Sequence, residues 1–322
     1  MASIVGDAPH AGRAADPPQA RAVGSGVLLL GLLAAGVVAT SAVRRRRPGQ
    51  RVSPEWRALH VAAAGLCGSV LVDSLVEHYR GAFENPGMFT PLAASTLGLV
   101  AAVDAATGCR WPAAARKGAY GVASAVGAAG LGFHVYNVLR QPGGFNWQNL
   151  FYAAPLGAPG ALALAGVIGL GAQHALRPQG GVAHARIAGV PAGRALAGVV
   201  AGGLLGTIGE VGLLHFRGSF QNPFMWLPVS LPPVAALLTA KAACERSAPR
   251  TRWLTRAWLW LTATLGIAGV GFHAYGVSRA MGGWKNWRQN VVDGPPLPAP
   301  PSFSALAIAG LAALRLRDGE HA

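Results

Sequence analysis

Two stretches of the chain repeat the same residues, and those residues could bind a metal ion or a haem iron. The fourteen residues that begin at His78 and the fourteen that begin at His215 share eight identities. Chance would give about one at ordinary residue frequencies. A carboxylate stands five residues before each histidine, Asp73 in one copy and Glu210 in the other. The repetition predicts a site that occurs twice in the molecule.

A second pair of matched segments adds one more histidine to each copy. GFHVYNVLRQPGGFNW contains His134, and GFHAYGVSRAMGGWKNW contains His273. Imidazole binds both divalent metals and haem iron, whereas carboxylate suits only the metal. The sequence therefore predicts a site for haem b or for a divalent metal ion. Its candidate ligands are the matched histidines and carboxylates: His78, His134, His215, His273, Asp73 and Glu210.

Helix geometry limits how these residues can share one ligand. Asp73 and His78 are five residues apart, which places them about 140° apart around a helix. They cannot both point at one ligand unless the helix end unwinds. A structural interpretation remains open, in which His134 and His273 donate hydrogen bonds to nearby carbonyls and the carboxylates pair with arginines.

Matched arginines and asparagines support a further interpretation, a site for a small polar or anionic solute or an ion-pair network. These candidates share only their repetition in the two copies: Arg80, Arg140, Arg217, Arg279, Asn85 and Asn222. Each asparagine precedes a proline, which is typical of a turn.

The composition identifies the class of protein that carries these residues. Of 322 residues, 52% are hydrophobic and only 12% are charged, with a mean hydropathy of +0.37. That is too apolar for a soluble domain and indicates a membrane protein. The net charge of +15 does not indicate nucleic-acid binding, because the basic residues lie between apolar runs. No soluble-enzyme signature is present, so we expect no stand-alone catalytic activity and no catalytic residues.

The apolar runs predict an all-α, polytopic bundle of about nine transmembrane helices. Residues 1–22 are expected to be disordered, and residues 23–57 to form a first transmembrane helix and a basic cytoplasmic loop. The remaining apolar runs, each a predicted helix, lie near 58–79, 89–108, 118–139, 157–176, 194–215, 226–244, 256–278 and 302–316.

The matched segments divide the later helices into two repeats of four. The first spans 58–176, the second spans 194–322 with a short tail, and a cytoplasmic linker, 177–193, joins them. Because four is even, both copies enter the membrane in the same direction and form parallel repeats. A salt bridge between Asp104 and Lys241 is expected across the axis that relates them.

The distribution of basic residues predicts the orientation. Alternate segments, beginning with the four arginines at 44–47, hold 19 of the 27 lysines and arginines. By the positive-inside rule these segments are cytoplasmic, with the N-terminus outside and the C-terminus inside a bacterial inner membrane. The matched polar residues then lie about 22 to 30 Å from the inner helix ends, near the outer, periplasmic face.

Two functions follow from that placement. The first is a metal- or haem-binding membrane subunit for electron transfer, embedded in the lipid bilayer, with a periplasmic or membrane redox partner. The alternative is a parallel-repeat transporter or permease for a small polar or anionic solute. A third hypothesis is a structural membrane scaffold, in which the matched residues only hold the two repeats together.

Overall fold

The computed structural model describes residues 53–108, 110–174, 185–245 and 248–319. The predictions for residues 1–22, for the first helix and its basic loop, and for most of the linker lie outside these ranges. The helices are α1 (Pro54–Arg80), α2 (Thr90–Thr107), α3 (Ala113–Arg140), α4 (Trp147–Tyr152), α5 (Gly157–His174), α6 (Ala192–Arg217), α7 (Leu227–Cys244), α8 (Pro249–Arg279), α9 (Trp287–Val292) and α10 (Pro301–Gly319). A small hairpin of β1 (Arg186–Ile187) and β2 (Val190–Pro191) precedes α6.

The described part of the chain contains six helices that are long and apolar enough to cross a membrane. Four are α1, α3, α6 and α8. The other two begin with short 3-10 turns and continue as α2 or α7, over Pro86–Thr107 and Pro223–Cys244. The fold is therefore all-α and fits an integral, multi-pass membrane protein. The count of nine helices and the internal duplication stay predictions.

Local sequence explains where α1 begins. The side chain of Ser53 accepts a hydrogen bond from the backbone N–H of Trp56 at 3.2 Å, and Pro54 occupies the first helical position. A serine cap followed by proline satisfies or removes backbone donors that would otherwise lack a partner. The helix then runs without interruption to Arg80, so its last turn carries the first of the candidate histidines.

The long helices form two bundles of four. In the first bundle α1 packs on α2 and α5, and both of these pack on α3. In the second bundle α6 packs on α7 and α10, and both of these pack on α8. Hence α1 stands diagonally opposite α3, and α6 diagonally opposite α8. The bundles meet where α10 packs on α1 and α5 packs on α6.

Small residues let α3 and α5 approach closely. A methyl group built on Gly127 would lie 2.2 Å from the backbone nitrogen of Ala163, and one built on Gly130 would lie 3.3 Å from Pro159. Gly266 and Gly269 of α8 meet Pro300 in the same way. Backbone contact through small residues is a common way for membrane helices to associate.

Substitution of Gly127 by Ala is expected to lower the thermal stability of the detergent-solubilised protein. The added methyl group meets backbone atoms, so α3 and α5 must separate, and overpacking of this kind costs about 1–3 kcal/mol. Gly121→Ala in the same helix is the matched control, since its methyl group would meet no other atom within 4 Å. Equal losses of melting temperature in the two variants would contradict this account of the contact.

The prediction of a salt bridge between Asp104 and Lys241 is wrong. Asp104 lies 3.4 Å from the guanidinium of Arg116, and Lys241 pairs with Glu245 at 3.0 Å. The Asp104 carboxylate also accepts the backbone N–H of Trp111. Asp104 pairs with the next helix in the chain, and Lys241 pairs with a residue one turn later. Neither charge therefore needs a partner in the other bundle.

Candidate cofactor site

His78 lies in the last turn of α1 and is held by the turn that follows. Its Nδ1 is 2.7 Å from the carbonyl oxygen of Met88, and its ring meets the edge of Phe83 at a centroid distance of 6.1 Å. Ala82 and Phe83 have φ angles of 53° and 50°. Left-handed backbone costs a non-glycine residue about 1–2 kcal/mol, so two in succession mark a turn that its surroundings keep in place.

The same arrangement occurs at His215, in the last turn of α6. Its Nδ1 is 2.7 Å from the carbonyl oxygen of Met225, and its ring meets Phe220 at a centroid distance of 6.1 Å. Ser219 and Phe220 have φ angles of 58° and 45°. The matched segments therefore have matching local structure as well as matching residues.

His134 and His273, on α3 and α8, use a backbone carbonyl in the same way. The Nδ1 of His134 is 2.5 Å from the oxygen of Pro155, and the Nδ1 of His273 is 2.7 Å from the oxygen of Pro296. These prolines lie in the segments that lead into α5 and α10. The segment after α4 thus positions one histidine and the segment after α9 positions the other.

These contacts determine which ring nitrogen carries the proton. A carbonyl oxygen can only accept, so each Nδ1 must donate its hydrogen. In a neutral imidazole Nε2 then has a free lone pair. None of the described residues hydrogen-bonds to Nε2 in these four rings. Whenever they are neutral, the four histidines therefore present the same tautomer, in which Nε2 can bind a metal and a backbone carbonyl fixes Nδ1.

The four histidines interact electrostatically in two pairs, one in each bundle: His78 with His134, and His215 with His273. In each pair the two rings project from diagonally opposite helices of one bundle, at the ends of those helices. We call this end of the molecule, where the four histidines lie, the histidine end.

The two carboxylates lie apart from these pairs, where the bundles meet. Asp73 and Glu210 interact electrostatically with each other. The side chain of Glu210 packs against the beginning of α5, where a methyl group built on Gly157 would lie 2.9 Å from its Cγ. No hydrogen bond to the Asp73 carboxylate is found among the described residues. The structure thus separates the predicted ligand set into histidine pairs and a carboxylate pair.

The matched arginines fasten the loops at the histidine end. Arg80 pairs with Glu77 at 3.0 Å and donates to the carbonyl of Val292. Arg217 donates to the carbonyl of Phe151 at 3.1 Å. The two contacts with backbone carbonyls each join a helix of one bundle to the short helix, α9 or α4, of the other. Neither arginine forms a salt bridge with Asp73 or Glu210 within the described residues, although Arg80 interacts electrostatically with Asp73.

Three of the four remaining matched residues also have structural partners. The guanidinium of Arg140 lies 5.5 Å from the ring centre of Tyr136. The side chains of Asn85 and Asn222 accept backbone N–H groups two residues later, at 2.8 and 3.0 Å. Arg279, the last residue of α8, takes part in none of the ion pairs found within the described ranges. The asparagines therefore form the predicted turns.

Sequence reasoning missed a buried polar cluster at the opposite end of the first bundle. His60 is fully buried, with Nδ1 2.7 Å from the hydroxyl of Tyr120 and Nε2 3.1 Å from the side chain of Gln173. Trp56 packs edge-on against His60 at a centroid distance of 4.3 Å. Both ring nitrogens of His60 are engaged, which distinguishes it from the four histidines at the histidine end.

Within the described residues, no group of three or more His, Cys, Asp or Glu side chains is arranged to hold a metal ion. Each histidine pair instead presents two Nε2 atoms that accept no hydrogen bond from the described residues. Comparison with protein-family models, with curated proteins and with solved structures finds no match for the chain.

Proposed function

We propose that the protein is a membrane subunit for electron transfer that binds two b-type haems, one between the histidines of each bundle. Two parallel four-helix repeats, preceded by one further helix, are part of this proposal, and the repeats carry the sites. The proposal includes the predicted location, a bacterial inner membrane with the N-terminus outside.

One observation carries the proposal. The four histidines form one pair in each bundle, and each of them directs Nδ1 to a backbone carbonyl. An isolated histidine with such a hydrogen bond is common and needs no cofactor. Four in matching positions, with Nε2 unbonded in each pair, supply the ligands for two irons. Polar side chains within a membrane are costly and usually serve a site.

The number of ligands favours haem over an isolated divalent ion. Two imidazole ligands from the protein would suffice to hold a haem, whereas a zinc site usually takes three or four protein ligands. Four-helix bundles hold such groups between side chains on facing helices. In this chain His78 and His134 would hold one iron, and His215 and His273 the other. The haem supplies one-electron chemistry, and the carbonyls of Met88, Pro155, Met225 and Pro296 keep the four rings oriented.

Placement at one end also bears on the redox partner. All four histidines belong to the same end of the molecule, so both proposed haems lie near one membrane surface. Electrons would therefore enter and leave on that side, through a periplasmic protein or a membrane-dissolved carrier. Arg80 and Arg217 secure the loops that cover this surface.

Purified protein, produced in cells that make haem, is expected to contain two haems per chain. The measurement is the haem content after extraction, together with the Soret band and the difference spectrum between reduced and oxidised forms. Elemental analysis serves as the control for other metals. A colourless protein with a stoichiometric divalent ion would favour the non-haem site. A colourless, metal-free protein would favour the transporter, with its matched arginines as solute ligands, or the scaffold.

A further inference from the structure

One side of α6 has no helix packed on it within the described residues. A methyl group built on any of three glycines there would meet no atom of another helix within 4 Å: Gly202, Gly206 and Gly209. These glycines are four and three residues apart, so they line up along one side of the helix. Leu205, beside them, is 51% exposed. We call this side of the helix the open face of α6.

The neighbouring sides of α6 are occupied by α5 and α7. A methyl group built on Gly203 would lie 3.0 Å from the side chain of Leu164 on α5, and one built on Gly212 would lie 3.7 Å from Val229 on α7. At 100° per residue, the open face lies between these two directions. It is therefore a surface flanked by two helices and filled by neither.

The matching side of α1 does carry a helix. At the spacing that relates the two copies, Gly65 of α1 matches Gly202 and Ser69 matches Gly206. A methyl group built on Gly65 would lie 3.1 Å from Cβ of Ala305 on α10, and the hydroxyl of Ser69 lies 3.0 Å from a serine hydroxyl of α10. The side that binds a helix in α1 is thus left open in α6, because α5 packs on the neighbouring side.

Glycines on an exposed side of a membrane helix favour a helix partner over lipid. Glycine within a helix is about 1 kcal/mol less favourable than alanine, and the space around the open face would admit larger side chains. The exposed Val61 and Val72 of α1 stand where α6 has Gly198 and Gly209. Small residues on a membrane helix are typical of a side that another helix approaches closely.

Residues 23–43, the predicted first transmembrane helix, have a complementary pattern. Small residues recur there at spacings of four, four and three, at Gly31, Ala35, Ala39 and Ala42. The open face together with Gly198 has the same spacings. On a helix such positions share one side, so two of these sides can approach closely. The segment lies outside the two repeats, which predicts a binding surface that is not repeated either.

The chain between this segment and α1 is long enough to reach the open face. Ten residues, 44–53, separate Val43 from Pro54, where α1 begins. Fully extended they span about 33 Å. α1, α5 and α6 are successive neighbours, and neighbouring helix axes lie about 8–10 Å apart, so a helix packed on α6 lies within about 30 Å of α1. Under the predicted orientation both ends of this linker lie at the cytoplasmic end.

We propose that residues 23–43 form a transmembrane helix that packs antiparallel on the open face of α6, with Ala35 and Ala39 against Gly202 and Gly206. The helix also shields Glu210, the neighbour of Gly209, from lipid, where a polar side chain is costly. The inference goes beyond the proposed function and does not depend on haem.

The test is disulfide crosslinking of the full chain in membranes. The native cysteines are first replaced by Ala: Cys67, Cys109 and Cys244. A cleavage site for a specific protease is inserted within residues 44–53. Ala35→Cys is then combined with Gly202→Cys or with Gly206→Cys, which lie one turn apart, so that either register is detected. After oxidation and cleavage, a crosslinked chain keeps its two fragments together until reductant is added.

One of these pairs is expected to crosslink at least about tenfold faster than the control, because a disulfide requires Cα atoms about 4.4–6.8 Å apart. The control is Val37→Cys with the same partners, since two residues turn a helix by about 200° and place Val37 on the opposite side. Gly202→Leu or Gly206→Leu, at whichever glycine does not carry the cysteine, should slow the crosslinking by holding the helices apart. Gly118→Leu on α3, another position with no atom within 4 Å, should not.

Faster crosslinking of Ala35→Cys to Val61→Cys than to either glycine would place the segment beside α1 and overturn the inference. Crosslinks that join two chains would show that the open face binds a second copy, and they would overturn it as well. So would the absence of crosslinking at both glycines. Haem content affects none of these outcomes, so the proposed function succeeds or fails separately.

Discussion

A chain in which His134 and His273 are both replaced by Ala is expected to bind no haem, whereas each single replacement removes about half of it. Each substitution takes one axial ligand from one bundle and leaves the other bundle untouched. The two bundles place their histidine pairs separately, so the effects should add. The measurement is haem per chain for the wild type, the two single variants and the double variant.

The control is His174→Ala. His174 lies in the last turn of α5, and its Nδ1 contacts the carbonyl of Leu170 in its own helix at 2.9 Å. His174 therefore also contacts a backbone carbonyl through Nδ1, but it has no matched histidine in the other repeat. The His174→Ala variant should keep both haems. Size-exclusion chromatography in detergent checks that every variant is folded. Loss of all haem in a single variant would contradict two independent sites.

Within the described residues the sequence was sufficient to predict the eight long helices, because long apolar runs in a membrane protein have few alternatives to the helix. Their polar ends were harder to place. The apolar run near 256–278, for example, belongs to a helix that begins at Pro249. Arg250, Arg252 and Arg256 lower the hydropathy there without interrupting the backbone hydrogen bonds. Hydropathy therefore locates the membrane part of a helix and not its first residue.

The candidate site was only partly predictable. Repetition identified the four histidines, but the groups that orient them are backbone carbonyls, which have no side-chain signature. Repetition also hid the cluster around His60, because the position that matches it in the second copy is Ala197. A search for duplicated polar residues cannot detect a network that occurs once.

A reporter that is active only outside the cytoplasm is expected to be active when fused after Trp147 or Trp287, and silent after Arg116 or Arg250. Trp147 begins α4 and Trp287 begins α9, the two short helices at the histidine end. Arg116 and Arg250 lie in the first turns of α3 and α8, at the opposite end. Because the basic segments lie at that opposite end, the positive-inside rule predicts that it faces the cytoplasm.

A second reporter that is active only in the cytoplasm controls for poor expression, since its pattern should be the inverse at the same four positions. The inverse result with the first reporter would place the histidine end in the cytoplasm. The haem ligands would be unaffected by that result, because they depend on contacts within each bundle. The redox partner would change, since a periplasmic protein could not reach either haem. Topology and haem content therefore test separate parts of the proposed function, its side of the membrane and its chemistry.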